Sequence, residues 1–198
     1  GPEGLTITDL NGDGKLDVVV TTTEHFSAFR NTSTAGTISF AARVDVLDVH
    51  ANLCPDSEMS DRDLDGDGKP EVVLSCGSQI SLLRNTSLGT TISFAAPLTL
   101  NNPGESVFDI ALGDIDGDNK SDLCATLNTN DVLGVFRNTS TVGSLSFESR
   151  VDFNASLNPL MIDIADFDGD GKEDVAVSNI LTGEATGSVS IFRNTSTA

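Results

Sequence analysis

A phrase of five or six residues occurs four times in this chain, and a chain of near-identical units is restricted to folds in which each unit packs on copies of itself. "FRNTST" begins at Phe29, returns shortened as "LRNTS" at Leu83, and reappears as "FRNTST" at Phe136 and at Phe192. An acidic stretch travels with it: "DLNGDGKLD" from Asp9, "DLDGDGKPE" from Asp63, "DIDGDNKSD" from Asp114 and "DFDGDGKED" from Asp166. Successive acidic stretches begin 54, 51 and 52 residues apart.

Each unit reads as four short strands. An apolar alternating run precedes the acidic stretch, as in "SVFDIAL" and "MIDIA", and a β-rich run follows it, as in "DVVVTTT", "EVVLS" and "DVAVS". A third run leads into the Arg-Asn pair, as in "VLGVFRN" and "SVSIFRN", and the fourth reads "TISFAARVDV", "TISFAAPLTL" or "SLSFESRVDF". Asn-Thr-Ser with a nearby Gly separates the third from the fourth, and stretches such as "NNPGES" separate the units. No segment has a helical period. Four strands in a unit of about fifty residues is the pattern of a β-propeller blade. A sandwich would not repeat its turn residues so regularly, and a solenoid would have shorter units.

The expected fold is all-β: a single β-propeller of four-stranded antiparallel blades, or a sector of one, over residues 1–198, with repeats at about 1–52, 53–104, 105–157 and 158–198. The chain stops at "FRNTSTA", which leaves the last blade without its outer strand and gives fifteen strands where four full blades need sixteen. Three expectations stay open: a ring that closes with four blades, a sector of a larger propeller in a longer chain, or a half that closes a larger propeller as a homodimer.

The acidic stretch is not an EF-hand. That loop needs a bidentate glutamate at its twelfth position and helices on both sides. Here the twelfth residues are Val20, Leu74, Ala125 and Val177, and strands flank the loop. Instead, acids occupy positions one, three, five and nine: Asp63, Asp65, Asp67 and Glu71; Asp114, Asp116, Asp118 and Asp122; Asp166, Asp168, Asp170 and Asp174. The first loop has Asp9, Asp13 and Asp17, with Asn11 at position three. Four carboxylates aimed at one centre repel unless a cation joins them. A hard ion with six to eight oxygen ligands suits the set, and Ca²⁺ tolerates flexible geometry better than Mg²⁺. About four Ca²⁺ are expected, one per repeat. All four lysines, Lys15, Lys69, Lys120 and Lys172, sit at position seven, where the backbone carbonyl can face the ion while the side chain points to solvent. Asn119 stands where the other loops have Gly, and Asn tolerates the left-handed conformation, so the third site is expected to survive.

The D-x-[DN]-G-D-G-x-x-D loop between a first and second strand, followed by a strand ending in Arg-Asn, resembles the FG-GAP/VCBS repeats, the calcium-binding blades of integrin α-subunit propellers and of many secreted bacterial proteins. The resemblance covers essentially the whole chain. It implies a propeller whose metal loops lie on one rim and serve structure. The chain departs from it in having four blades, where such propellers usually have seven or eight, and in the missing last strand.

The formal charge of −19 argues against nucleic acid and against anionic lipid as partners, because both need clustered Lys and Arg. Fifteen of the thirty acids lie at the ligand positions, so four Ca²⁺ would bring the formal charge to −11. No apolar run approaches the roughly 18 residues of a membrane span, so no membrane insertion is expected. Cys54, Cys76 and Cys124 have no zinc-like spacing. Either Cys54 and Cys76, which share one repeat, form a disulfide, or all three are small buried hydrophobes. "NTS" at Asn31, Asn85, Asn138 and Asn194 and "NAS" at Asn154 match the glycosylation acceptor, but four of the five fall at the same hairpin and read first as turn residues.

The residues suggest no enzyme. The two histidines, His25 and His50, are not spaced with a Ser or Cys as in a nucleophile pattern, and no phosphate-binding Gly-rich loop opens a helix. One anomaly stands out: Asp61 occupies the place of Ile7, Leu112 and Ile164, and with Asp56, Glu58 and Arg62 it makes a candidate ligand patch. The expected function is a non-catalytic calcium-binding propeller module, for adhesion or for a protein or glycan ligand, in a secreted or cell-surface protein of bacterial type. Two other readings stay open: a lectin, which the absence of Trp and Tyr disfavours, and a non-catalytic part of a polysaccharide-degrading enzyme.

Overall fold

The β-rich run that follows each acidic stretch becomes an inner strand of a sheet, paired on both sides. In the computed structural model, which describes residues 2–22, 26–46, 59–102, 105–180 and 187–196, four separate sheets follow one another along the chain. The first contains β1 (Pro2–Thr8), β2 (Asp17–Thr22), β3 (Phe26–Phe29) and β4 (Val44–Val46). The second contains β5 (Met59–Arg62), β6 (Glu71–Cys76), β7 (Gln79–Leu83) and β8 (Leu98–Asn101). The third contains β9 (Val107–Gly113), β10 (Asp122–Leu127), β11 (Val132–Phe136) and β12 (Val151–Asn154). The fourth has three strands, β13 (Pro159–Ala165), β14 (Asp174–Asn179) and β15 (Ser188–Phe192). Each is an antiparallel meander whose strands neighbour one another in chain order, as expected of propeller blades. The described residues contain no helix.

The chain divides into two compact units. Unit 1 comprises Gly1–Asp63, Asp67–Cys76 and Ile80–Leu100, and unit 2 comprises Leu64–Gly66, Gly77–Gln79 and Asn101–Ala198. In unit 1, Leu10, Val19, Phe26 and Ala28 of the first blade pack with Val72, Leu74, Leu83 and Ile92 of the second. Phe94 meets Phe26 edge to face at 5.4 Å, a favoured aromatic geometry. In unit 2, Cys124 and Leu133 pack with Ile162, Val175 and Val177. Two buried polar groups of the third blade hold β13 there: Asp109 accepts from the Ile162 amide at 2.8 Å, and the Thr126 hydroxyl donates to the Leu160 carbonyl at 2.6 Å. Burial pushes the Asp109 carboxyl upward.

The Asn-Thr-Ser turns extend past the sheets as narrow hairpins. Bridges join Asn31 to Phe40, Asn85 to Phe94 and Asn138 to Phe147, with two-residue tips between Thr34 and Thr37, Leu88 and Thr91, and Thr141 and Ser144. Asn85 and Asn138 are fully buried, so their acceptor sequences are occupied by structure; Asn194 is nearly so. Cys124 is a buried free thiol. Cys54, the side chain of Cys76, and both histidines lie outside the described residues, as do Asp56 and Glu58.

Candidate metal centres

Two glycines and one carboxylate shape each acidic loop. Gly12 and Gly14 have φ of 73° and 81°, and the same two places in the other loops also have positive φ, with Asn119 at 66° in the third. The left-handed conformation expected of Asn119 is the one it adopts. These φ values turn successive amides inward onto the position-one carboxylate. Asp9 accepts from Gly12, Asp13 and Gly14; Asp166 accepts from Gly169, Asp170 and Gly171; Asp114 accepts from Gly117 and Asn119; and Asp63 accepts from Gly68. Position five accepts from the position-seven amide in every loop: Asp13 from Lys15, Asp67 from Lys69, Asp118 from Lys120 and Asp170 from Lys172.

Position nine opens the second strand and is buried in all four blades: Asp17, Glu71, Asp122 and Asp174. Its carboxylate fastens the loop to the hairpin. Asp122 accepts from the Ile115 amide at 3.0 Å and the Asn138 amide at 2.7 Å. Asp17 does the same with Leu10 and Asn31, and Asp174 with Phe167 and Asn194. Glu71 accepts from Asn85. Burial pushes the Asp122 carboxyl up to about 6 and moves Asp17 in the same direction.

Carboxylate oxygens from positions one, three and nine then converge. Asp114, Asp116 and Asp122 lie within 4.8 Å of one another, as do Asp166, Asp168 and Asp174, and, along the second loop, Asp63, Asp65 and Glu71. The first loop, with Asn11 at position three, is not among these trios. Three like charges this close favour a shared cation, and an all-oxygen set is the donor chemistry of Ca²⁺. The residues present therefore fit the ion.

The Arg-Asn pair, which first appeared only as a marker of the repeat, carries two functions at these loops. Its Arg neutralises positions three and five: Arg84 meets Asp67 at 3.1 Å, Arg137 binds Asp116 and Asp118, and Arg193 binds Asp168 and Asp170. Arg193 holds the Asp168 carboxyl below its usual range. Its Asn donates to the carbonyl before position nine and also to the preceding blade: Asn85 to Leu10 at 2.8 Å, Asn138 to Leu64 at 2.9 Å and Asn194 to Ile115 at 2.8 Å. Strict recurrence alongside the acids was the sequence signal for both. The position-seven lysines also differ from expectation. Lys120 and Lys172 reach the carbonyls of Ser140 and Ser196, because the hairpin lies within reach of the loop. In the candidate patch, Asp61 accepts from the Thr6 hydroxyl at 2.8 Å, and Arg62 is exposed.

The model of the FG-GAP-like repeat matches residues 63–125 and 120–177. No curated protein matches the chain. Among solved structures, the chain is similar to an Agrocybe aegerita lectin described as recognising non-reducing terminal N-acetylglucosamine, at 18% identity and a TM-score of 0.59, covering 96% of this chain and 51% of that one. It is similar to the Bacillus licheniformis rhamnogalacturonan lyase, at 14% identity and a TM-score of 0.56, covering 88% and 39%. It is also similar to BBS1N in complex with ARL6DN, at 12% identity and a TM-score of 0.55, covering 88% and 51%. At these identities the likeness speaks for the fold alone, and the chain spans about half or less of each of these structures. With four successive antiparallel blades and a repeat model matched over more than half of its residues, the chain belongs to the FG-GAP-like repeat family and has its β-propeller fold.

Proposed function

We propose that this chain, as a single propeller or propeller sector, is a non-catalytic calcium-binding module for adhesion or ligand binding in a secreted or cell-surface protein. The observation that carries this is the convergence of three carboxylates in the same register in successive loops. Positions one, three, five and nine, with the position-seven carbonyl, would hold each ion: Asp9, Asn11, Asp13, Lys15 and Asp17 in the first loop and their equivalents in the others. The ion supplies charge neutralisation and a crosslink between loop and strand, not chemistry. Cys124 gives no nucleophile, since burial pushes its thiol up to about 12. No helix among the described residues is long and apolar enough to cross a membrane. An extracellular setting suits sites of modest affinity, about 10⁻⁴–10⁻³ M, because calcium there fills them.

Thermal melts in calcium and in chelator test this reading. One site held at a hundredfold excess over its Kd adds about 2.7 kcal/mol, which raises Tm by about 5–10 °C in a chain of this size. A Tm unchanged by chelation removes the proposal.

The pH dependence has a defined sign. Folded Asp122 has its pKa raised to about 6 from 3.8, so between these values the folded chain holds more protons than the unfolded one. In chelator, this group's contribution to stability therefore grows as pH falls from about 7 toward 4. In calcium, the ion needs the carboxylate, so affinity at the third loop falls about tenfold per pH unit below about 6. Calcium titrations at pH 7 and pH 5 check this; equal affinities contradict it.

A second reading, glycan binding, has one specific observation in its favour. A cleft of about 290 Å³ in unit 2 is lined by Asp114, Asp116, Lys172, Glu173, Asn194 and Ser196, a set of donors and acceptors suited to sugar hydroxyls. Binding on a glycan array, abolished by Glu173→Ala at unchanged Tm, would select this reading.

A further inference from the structure

We propose that the hairpin tip of one repeat is a positioning element for the acidic loop of the repeat before it. A tip that shows the loop a carbonyl excludes Asp from position three. A tip that shows it an amide admits Asp and orients that carboxylate for the ion. The matching of tip and residue stands without a metal, whereas the orientation of a ligand rests on the calcium reading above.

Two tips meet position three, one within each compact unit. In unit 1, the Asn11 side-chain amide donates to the Gly89 carbonyl at 2.7 Å. In unit 2, the Gly143 amide donates to the Asp65 carboxylate at 3.0 Å. Both contacts use the central peptide of a two-residue tip, closed by paired bonds between Leu88 and Thr91 and between Thr141 and Ser144. What differs is the direction of that peptide.

The direction follows from where glycine stands. In "LGTT" from Leu88 the glycine is the first central residue, and its φ of 62° gives a type II′ turn. In "TVGS" from Thr141 it is the second, and its φ of 87° gives a type II turn, whose central peptide is turned over. A carboxylate in place of the Asn11 amide would set oxygen against oxygen at the Gly89 carbonyl. Asn11 is therefore the partner of its tip and not a lapse in the ligand set.

The second tip departs from local preference to make its contact. Two-residue hairpins favour types I′ and II′, whose twist matches the strands, whereas type II splays them. What the type II tip gains is the amide on Asp65. That carboxylate is only 4% exposed, and a buried carboxylate needs donors. The tip lies against the loop, since a Cβ on Gly66 would be 3.9 Å from a Val142 methyl. Asp65 is also the position-three member of its converging trio. An amide bonded to a carboxylate restrains its rotation, which is how neighbouring donors orient metal ligands.

Melting curves of the full chain test the proposal. Gly89→Val with Thr90→Gly gives the second hairpin the glycine place of the third, where a type II tip is already tolerated. In chelator, Asn11→Asp on the natural tip is expected to lower Tm by about 2–4 °C. On the reversed tip the same substitution should leave Tm unchanged or raise it. The converse cross is independent: with Val142→Gly and Gly143→Val, Asp65→Asn should raise the Tm that the reversed tip has lowered. An equal loss from Asn11→Asp on both tips, no loss on the natural tip, or no recovery by Asp65→Asn would each overturn the matching. In calcium, the chain with Asp at position 11 and the reversed tip should gain about 2–4 °C more than wild type does, because its first loop then has the acids of the other three and an amide to orient position three. An equal gain overturns the positioning of a ligand. No gain in any version, wild type included, removes the calcium reading, while the comparison in chelator still decides the matching.

Discussion

Asn138→Ala should destabilise the protein by about 3 kcal/mol or more, and Asn31→Ala by less than half of that. Both residues occupy the same place in their repeats, so residue type cannot account for the difference. Asn138 is fully buried and its amide donates to Leu64 and Ser121, while its side-chain oxygen accepts from the Ser140 amide. Alanine would leave two carbonyls and one amide without these partners in a site closed to water. Each unsatisfied buried group costs about 1–3 kcal/mol. Asn31 makes the bonds to Leu16 and Ser33 but is partly exposed, so water can replace the lost side chain. For a chain of this length, the Asn138 loss lowers Tm by about 6–12 °C. Paired denaturant and thermal melts of the two variants measure the difference, and equal losses would refute the role of Asn as a tie between blades.

That tie shows where a sequence stops informing. The strand order, the loop turns and the left-handed Asn119 were all legible, because each is set by residues close together in the chain. Periodicity marks strands, and Gly or Asn marks positive φ. The acids at positions one, three, five and nine were expected to converge because the loop that carries them is only nine residues long; in three loops positions one, three and nine do so, while position five accepts the position-seven amide. The contacts that join one unit to the next were not. The Asn85 bond to Leu10 spans 75 residues and the Asn138 bond to Leu64 spans 74. Nothing local distinguishes an Asn that crosses this distance from one that caps its own turn. Asp109 was hidden differently. In "SVFDIAL" it reads as the polar member of an alternating strand, but it is buried and accepts the Ile162 amide. Lys120 and Lys172 turn to hairpin carbonyls and not to solvent because their acceptors lie 20 and 24 residues further along the chain, beyond what the loop's own sequence reveals.

Within the third loop, Asp116→Ala and Asp122→Ala should separate the ion's contribution from the backbone's. Asp122 holds the Ile115 and Asn138 amides from a buried position, so its removal leaves two donors orphaned whatever the solvent contains. The expected loss is about 2–4 kcal/mol in chelator, with the calcium contribution lost in addition when the ion is present. Asp116 is different. It is partly exposed, accepts the Asp118 amide at 3.1 Å and pairs with Arg137 at the surface. Surface pairs of this kind contribute about 0–1 kcal/mol, so in chelator its removal should change Tm by no more than about 4 °C. In calcium the same change deletes one of the three converging carboxylates, and the loss should approach the full contribution of that site, about 2–3 kcal/mol. The measurement is a four-way comparison of Tm, two variants in two solvents. If Asp116→Ala costs as much in chelator as in calcium, the trio stabilises the loop without an ion, and the convergence of its carboxylates has a purely internal origin in the backbone amides and Arg137.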